Sequence, residues 1–220
     1  MSTSDSPVIA TVPLGPYQTN CFVVAVAGSD DQAFLVDCGD TPEPLFESLD
    51  RSGRRLAGIL LTHAHHDHIA GIDLALKRYG SLPIHAPRLE AAWNMEPMLN
   101  LSAFLGRPAR VTPPTDLFEE GDACPLGPGW RILHLPGHSP GSSAFLHEEA
   151  GILLAGDTLF AGSIGRVDFP TSDPASMKSS LDRILELDDR TRVLPGHGPE
   201  TSIGRERATN PFLGPDGMAF

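Results

Sequence analysis

Apolar residues fall along the first third of this chain in short, nearly continuous runs bounded by polar residues, glycine and proline, which is the pattern of buried β-strands. Residues 8–14, 21–27 and 33–36 read as strands, the last two joined across Gly28-Ser29-Asp30-Asp31 as a hairpin. A helix is predicted over 42–49, with Thr41 as N-cap, Pro42 at the first helical position and Leu45, Phe46 and Leu49 turned inward. Residues 57–62 predict a fully buried strand that runs into a cluster of histidines. Ile69, Ile72 and Leu76 then recur at helical spacing, predicting a helix over 69–79 that stops at Gly80. A short strand over 83–86 follows, and 88–115, with its Met, Trp and Pro content, predicts a helical turn and a loop over a site. Residues 130–135, 143–147 and 152–155 form a second group of strands. Asp173-Pro174 opens a helix whose Met177, Leu181, Ile184 and Leu185 share one face, and 192–194 is a last short strand before Pro195-Gly196-His197. Two groups of strands, each followed by a helix, predict two packed sheets with helices outside them.

Composition narrows the class. The chain has 220 residues, 40% hydrophobic and 20% charged, with a mean hydropathy of −0.09; this is a folded composition, and no repeat or linker divides 1–220 into more than one domain. No apolar run approaches the ~18 residues of a membrane span. Acidic residues outnumber basic ones by 28 to 16, a net charge of −12 that disfavours nucleic acid as a partner. Residues 1–7 carry neither a basic nor an apolar leader segment. Cys21, Cys38 and Cys124 are odd in number, widely spaced and outside any C-x-x-C pattern, so free thiols in a reducing, cytoplasmic compartment are expected.

The chemistry concentrates in Thr62-His63-Ala64-His65-His66-Asp67-His68. His63 and His65, two apart in extended chain, project to one side, and Asp67 and His68 follow where the chain turns into a helix. Imidazole and carboxylate donors suit zinc, iron or manganese. Three later apolar runs each end in a further donor: Leu135-Pro136-Gly137-His138, Ala155-Gly156-Asp157 and Leu194-Pro195-Gly196-His197. Donors delivered by four strand ends predict a two-metal site that Asp157 is able to bridge.

This set, His63-Ala64-His65-His66-Asp67-His68 with His138, Asp157 and His197 downstream, resembles the signature of the metallo-β-lactamase superfamily over nearly the whole chain. The resemblance implies an α/β fold, a four-layered αβ/βα sandwich of two mixed β-sheets flanked by helices, with metals at one edge of the sheets. It also implies that His63, His65 and His138 hold one metal, that Asp67, His68 and His197 hold the other, and that Asp157 lies between them. The cofactors expected are two divalent ions, zinc first, with iron and manganese as alternatives.

Gln18-Thr19-Asn20-Cys21-Phe22-Val23, Gly156-Asp157-Thr158-Leu159-Phe160 and Ile164-Gly165-Arg166-Val167-Asp168-Phe169 resemble the glyoxalase II (hydroxyacylglutathione hydrolase) group, and the segments after His197 resemble its short bacterial branch. That resemblance implies attack of a metal-held hydroxide on a small-molecule thioester such as S-lactoylglutathione. Longer members add a helical domain with basic residues that grip glutathione, whereas only 23 residues follow His197 here. Asp67 is the catalytic candidate, as metal ligand or as orienter of the hydroxide. Asp37 is read either as a residue behind the metals that orients a ligand histidine or as a turn aspartate. Arg166 is the candidate grip for an anionic substrate, or else a surface ion pair, with Arg205 and Arg207 as lesser contributors. His66 is expected to point away from its neighbours, His85, His134 and His147 to be structural, and Cys38 to be a buried, inert thiol. Trp93, Met95, Met98 and Phe104 form a lid or belong to the core. Rival readings are a persulfide dioxygenase with one iron, which shares a Gly-Arg-x-Asp segment like that at 165–168, a lactonase or other ester hydrolase, a nuclease, and a non-catalytic metal protein.

Overall fold

In the computed structural model, which describes residues 6–213, thirteen strands, β1 to β13, and five α-helices, α1 to α5, follow one another. The expected no-leader segment, residues 1–7, lies largely outside that range. The first sheet takes β1 (Ile9–Leu14), β2 (Thr19–Ala25), β3 (Gln32–Val36), β4 (Arg55–Leu60), β5 (Ile84–Pro87) and β6 (Asp116–Phe118) in that order. Its first two pairings are antiparallel and the next three parallel. The second takes β13 (Thr201–Ser202), β12 (Arg192–Pro195), β9 (Ile152–Gly156), β8 (Ser143–His147) and β7 (Trp130–His134), with β12 and β9 parallel and the other pairs antiparallel. A small hairpin, β10 (Leu159–Phe160) and β11 (Ser163–Ile164), stands apart.

Side-chain alternation along the strands builds three cores, and three cores make four layers. Phe22, Val24, Phe34, Val36 and Leu60 of the first sheet meet Trp130, Ile132, Phe145, Leu154 and Leu194 of the second in the central core. The alternate residues Val23, Leu35, Ile59 and Leu61 pack on Leu45, Phe46 and Leu49 of α1 (Glu43–Ser52) and on Ile72 and Ala75 of α3 (Ile72–Tyr79). On the far side, Leu133, Ala144, Leu146, Leu153 and Val193 bury Met177, Leu181 and Ile184 of α4 (Pro174–Ile184) and Ile203 of α5 (Ile203–Thr209). Among the described residues no helix is long and apolar enough to cross a membrane.

Three expectations change. Thr41 does not cap α1: its φ of 57° lies in the left-handed region, Pro42 takes the cap position, and no side chain accepts a cap hydrogen bond there. The helix expected over 69–79 is two, α2 (His66–Ile69) and α3. Gly71 separates them because its amide donates to the Cys38 carbonyl and its Cα lies against Gly39, where a side chain would collide. Finally, β6, β13, α5 and the β10–β11 hairpin were not predicted.

Candidate metal centre

Strands β4, β7, β9 and β12 end at the same edge of the sandwich, and each releases its donor just past that end. β4 leads through Thr62 to His63 and His65, β7 through Pro136-Gly137 to His138, β9 to Asp157, and β12 to His197. The two sheets are tied together there: the Asn20 amide donates to the Gly196 carbonyl at 2.7 Å, and the Asn20 carboxamide donates to the carbonyls of Pro195 and Gly198.

The seven expected side chains come together. Donor atoms of His63, His65 and His138 lie within 4.8 Å of one another, as do those of Asp67, His68 and His197, and those of His63, His68 and Asp157. His68 Nε2 is 3.4 Å from Asp157 Oδ1, while Asp157 Oδ2 is 3.4 Å from His197 Nε2 and 3.5 Å from His138 Nε2. His63 Nε2, His65 Nε2, His68 Nε2 and Asp157 Oδ1 are buried without a hydrogen-bond partner. Leaving one such atom unpaired costs about 1–3 kcal/mol, and here four of them share one small volume. An all-nitrogen-and-oxygen donor set aimed inward without protein partners fits divalent cations of the zinc, iron or manganese kind.

Charge divides the cluster. Burial, reinforced by neighbouring imidazoles, lowers the pKa of His63 and of His65, the latter to about 3, and burial likewise lowers His138. Burial opposes a proton on His68 too, but Asp67, Asp157 and Asp37 overcome it and raise its pKa well above the usual histidine range. His197, against the same opposition, is raised to about 10 by its hydrogen bonds to Asp157 and Asp67. Both those carboxyls, despite burial, are held below the usual carboxylate range by His68 and by the His197 hydrogen bond. The metal-free chain therefore presents neutral imidazoles on one side and protonated ones on the other. A cation entering the Asp67, His68 and His197 set must expel protons, so affinity there is expected to weaken as pH falls. The His63, His65 and His138 set should change far less between about pH 8 and about pH 6. Calorimetric metal titrations in buffers of different ionisation enthalpy read the proton count of each step, and equal release at both steps would contradict this division.

Asp37, at φ 58° and fully buried, lies behind His68. Its Oδ1 accepts the Thr62 amide, and its Oδ2 accepts the Thr62 hydroxyl and faces His68 Nδ1, each at 2.8 Å, which aims the other nitrogen of His68 into the cluster. Thr19 donates its hydroxyl to Asp67 Oδ2 at 2.9 Å. In the sequence, Thr19 and Asn20 stand out only within the family-like segment 18–23.

Glu90 was missed altogether. Wholly buried, it accepts the Ala64 amide at 2.6 Å on one carboxylate oxygen and the Gly141 amide at 2.7 Å on the other, so it joins the loop of His63 and His65 to the loop of His138. No periodicity marks it in the sequence.

Beside the cluster lies a cavity of about 540 Å³. His66 stays out of the donor sets, as its spacing predicts, and forms part of the cavity wall. Arg166 also lines the cavity, yet both its Nε and Nη2 donate to the Asp168 carboxylate at 2.8 Å. Arg207 is bound to the Leu187 carbonyl and Asp189, and neither it nor Arg205 lines the cavity. Trp93 is core, its ring stacked on His65 at 5.8 Å, whereas Phe104 is exposed and lines the cavity. His85 packs on Phe34, His134 faces the Pro140 carbonyl and His147 packs on Trp130. Burial pushes the Cys38 thiol far up, as an inert thiol requires.

The family model described as the metallo-beta-lactamase superfamily matches residues 14–197. Among solved structures, the chain is similar to BLEG-1, a B3 metallo-beta-lactamase, at 38% identity and a TM-score of 0.86, covering 94% of this chain and 99% of that one. It is similar to TTHA1623, solved in a di-iron-bound form, at 39% identity and a TM-score of 0.82, covering 93% of this chain and 100% of that one. The hydroxyacylglutathione hydrolase GloC of Haemophilus influenzae is 33% identical over 93% of this chain and 97% of its own length. The four layers, the donors at one sheet edge and this match agree: the chain belongs to the metallo-beta-lactamase superfamily.

Proposed function

We propose that this chain is a cytoplasmic binuclear metallohydrolase that cleaves small-molecule acyl thioesters. The observation that carries the reading is the seven-donor cluster in overlapping sets beside a cavity large enough for a small ligand. The di-iron form of TTHA1623 and the hydrolase activity in the name of GloC support it, as do three buried free thiols for the compartment. His63, His65 and His138 would hold one cation, Asp67, His68 and His197 the other, with Asp157 between them. Cations so held supply Lewis acidity to the acyl oxygen and acidify water. The chain's own part is positional. Asp67, fixed by Thr19 and partly open to the cavity, holds and orients the attacking water through its ionised carboxylate. Water gives up one proton as its oxygen adds to the acyl carbon, and the C–S bond breaks with its electron pair on sulfur. The acid formed loses the second proton, so the products are a carboxylate, a thiolate that departs without a dedicated acid, and two protons released to solvent.

Steady-state hydrolysis of S-lactoylglutathione and of non-glutathione thioesters, with metal analysis on the same preparation, tests this. Thioester turnover with two metals per chain is the expected result. Turnover of a β-lactam alone, or a single iron with oxygen uptake on glutathione persulfide, would overturn it.

A further inference from the structure

We infer, building on the thioester reading, that the substrate brings an uncharged molecule with an apolar acyl chain to this cavity, and not a glutathione conjugate. The rest of the wall is aromatic and aliphatic: Phe169 packs on His65 and His138, Phe160 packs on His197, and Tyr17, Leu101, Phe104 and Leu105 complete it. Three of these stand in solvent, Tyr17 at 52%, Phe104 at 58% and Leu105 at 42% exposure. Large apolar side chains gathered around the mouth of a cavity are a disfavoured arrangement unless something apolar covers them.

The wall is also built to stay there. Leu101 adopts φ 67°, a left-handed conformation that a leucine takes only when its surroundings impose it. Its neighbour Asn100 imposes it: fully buried, Asn100 donates its carboxamide to the Trp93 and Ala109 carbonyls and accepts the His66 amide on its backbone oxygen. The turn carrying Phe104 and Leu105 is thereby fastened to the first residue of α2, beside Asp67.

Charge argues the same way. A glutathione thioester carries two carboxylates and an ammonium group, each needing a partner when it leaves water. Among the described residues that line the cavity, Arg166 is the one permanent cation, and Asp168 already holds it in a two-pronged ion pair while its guanidinium lies 4.4 Å over the Phe169 ring. The chain's net charge of −12 adds repulsion to a dicarboxylate that approaches.

The test compares N-acetylcysteamine thioesters, whose thiol part is neutral, from acetyl through butyryl and hexanoyl to octanoyl, with S-lactoylglutathione. A fully buried methylene is worth up to about fourfold, so kcat/KM should climb at least about tenfold from acetyl to octanoyl and exceed that for S-lactoylglutathione. The double variant Phe104→Ser, Leu105→Ser should reduce the octanoyl-to-acetyl ratio about tenfold. Calorimetric binding of two uncleavable thioethers, S-octyl-N-acetylcysteamine and S-octylglutathione, gives a readout independent of catalysis, with the neutral one expected to bind tighter. A flat chain-length series, or preference for glutathione in both assays, overturns the inference and leaves thioester hydrolysis standing. No turnover of any thioester, with the neutral thioether still preferred, overturns the thioester reading and leaves the apolar cavity standing.

Discussion

An Asp157→Ala enzyme is expected to keep its fold and to lose at least about three orders of magnitude in kcat/KM for thioester hydrolysis. Among the described residues, Asp157 is the one whose carboxylate reaches donors of both sets, with Oδ1 toward His68 and Oδ2 toward His197 and His138. Its place is guarded by backbone: a side chain at Gly196 would collide with its carboxylate, which is why the run into His197 reads Pro195-Gly196. Without Asp157 the cluster would lose the negative charge that, on the proposed reading, lets it hold two cations, and charge stabilisation of several kcal/mol in the transition state would go with it. The fold survives because the carboxylate touches none of the three apolar cores. Kinetics at saturating metal, metal content and thermal unfolding on one preparation check the three parts of the expectation. Activity within about tenfold of the parent would mean that the bridging position is not needed for hydrolysis.

What could be read from the sequence follows from how each element is stabilised. Strands β2, β3, β4, β8 and β9 are buried on both faces, so they stand out as continuous apolar runs. His63, His65 and Asp157 stand out because they follow two of them, β4 and β9, whereas His138 and His197 follow the shorter apolar stretches of β7 and β12. α5 stays hidden because its inward face holds a carboxylate: buried Glu206 accepts the Gly162 amide and the Thr201 hydroxyl, and no apolar period shows. The break before α3 depends on a close approach between Gly71 and Gly39, residues 32 apart in the chain, which no local window contains. β6 has three residues and β13 two, too few to carry a period. The role of Arg166 depended on a partner two residues along, Asp168, that spacing could suggest but geometry had to decide.

Glu90→Ala is expected to destabilise the protein by about 4 kcal/mol and to weaken metal binding at the His63, His65 and His138 set in particular. Glu90 lies in a short 3-10 turn after β5, yet its two oxygens accept one amide between the candidate ligands His63 and His65 and another three residues past His138. Burial pushes its carboxyl pKa up, and hydrogen bonds from Ser139 and from the Ala64 and Gly141 amides oppose the shift. Alanine would strand both amides away from water, at about 1–3 kcal/mol each, and leave space where the side chain was. For a domain of this size that corresponds to a fall in Tm of roughly 10 °C. Glu90→Gln keeps the volume and one acceptor but turns an NH2 group toward the other amide, so its loss should be about half as large. The two variants separate packing from positioning. A residue that only fills space would tolerate glutamine and would lower both metal affinities alike when cut to alanine. A carboxylate that sets the spacing of two ligand loops should cost the three-histidine set 10- to 100-fold or so, roughly the penalty for losing a support behind a metal ligand, while the Asp67, His68 and His197 set binds nearly as before. Competition titrations with a metal chelator, run beside thermal unfolding of both variants, measure the difference, and parallel loss at the two sets would leave Glu90 as packing alone.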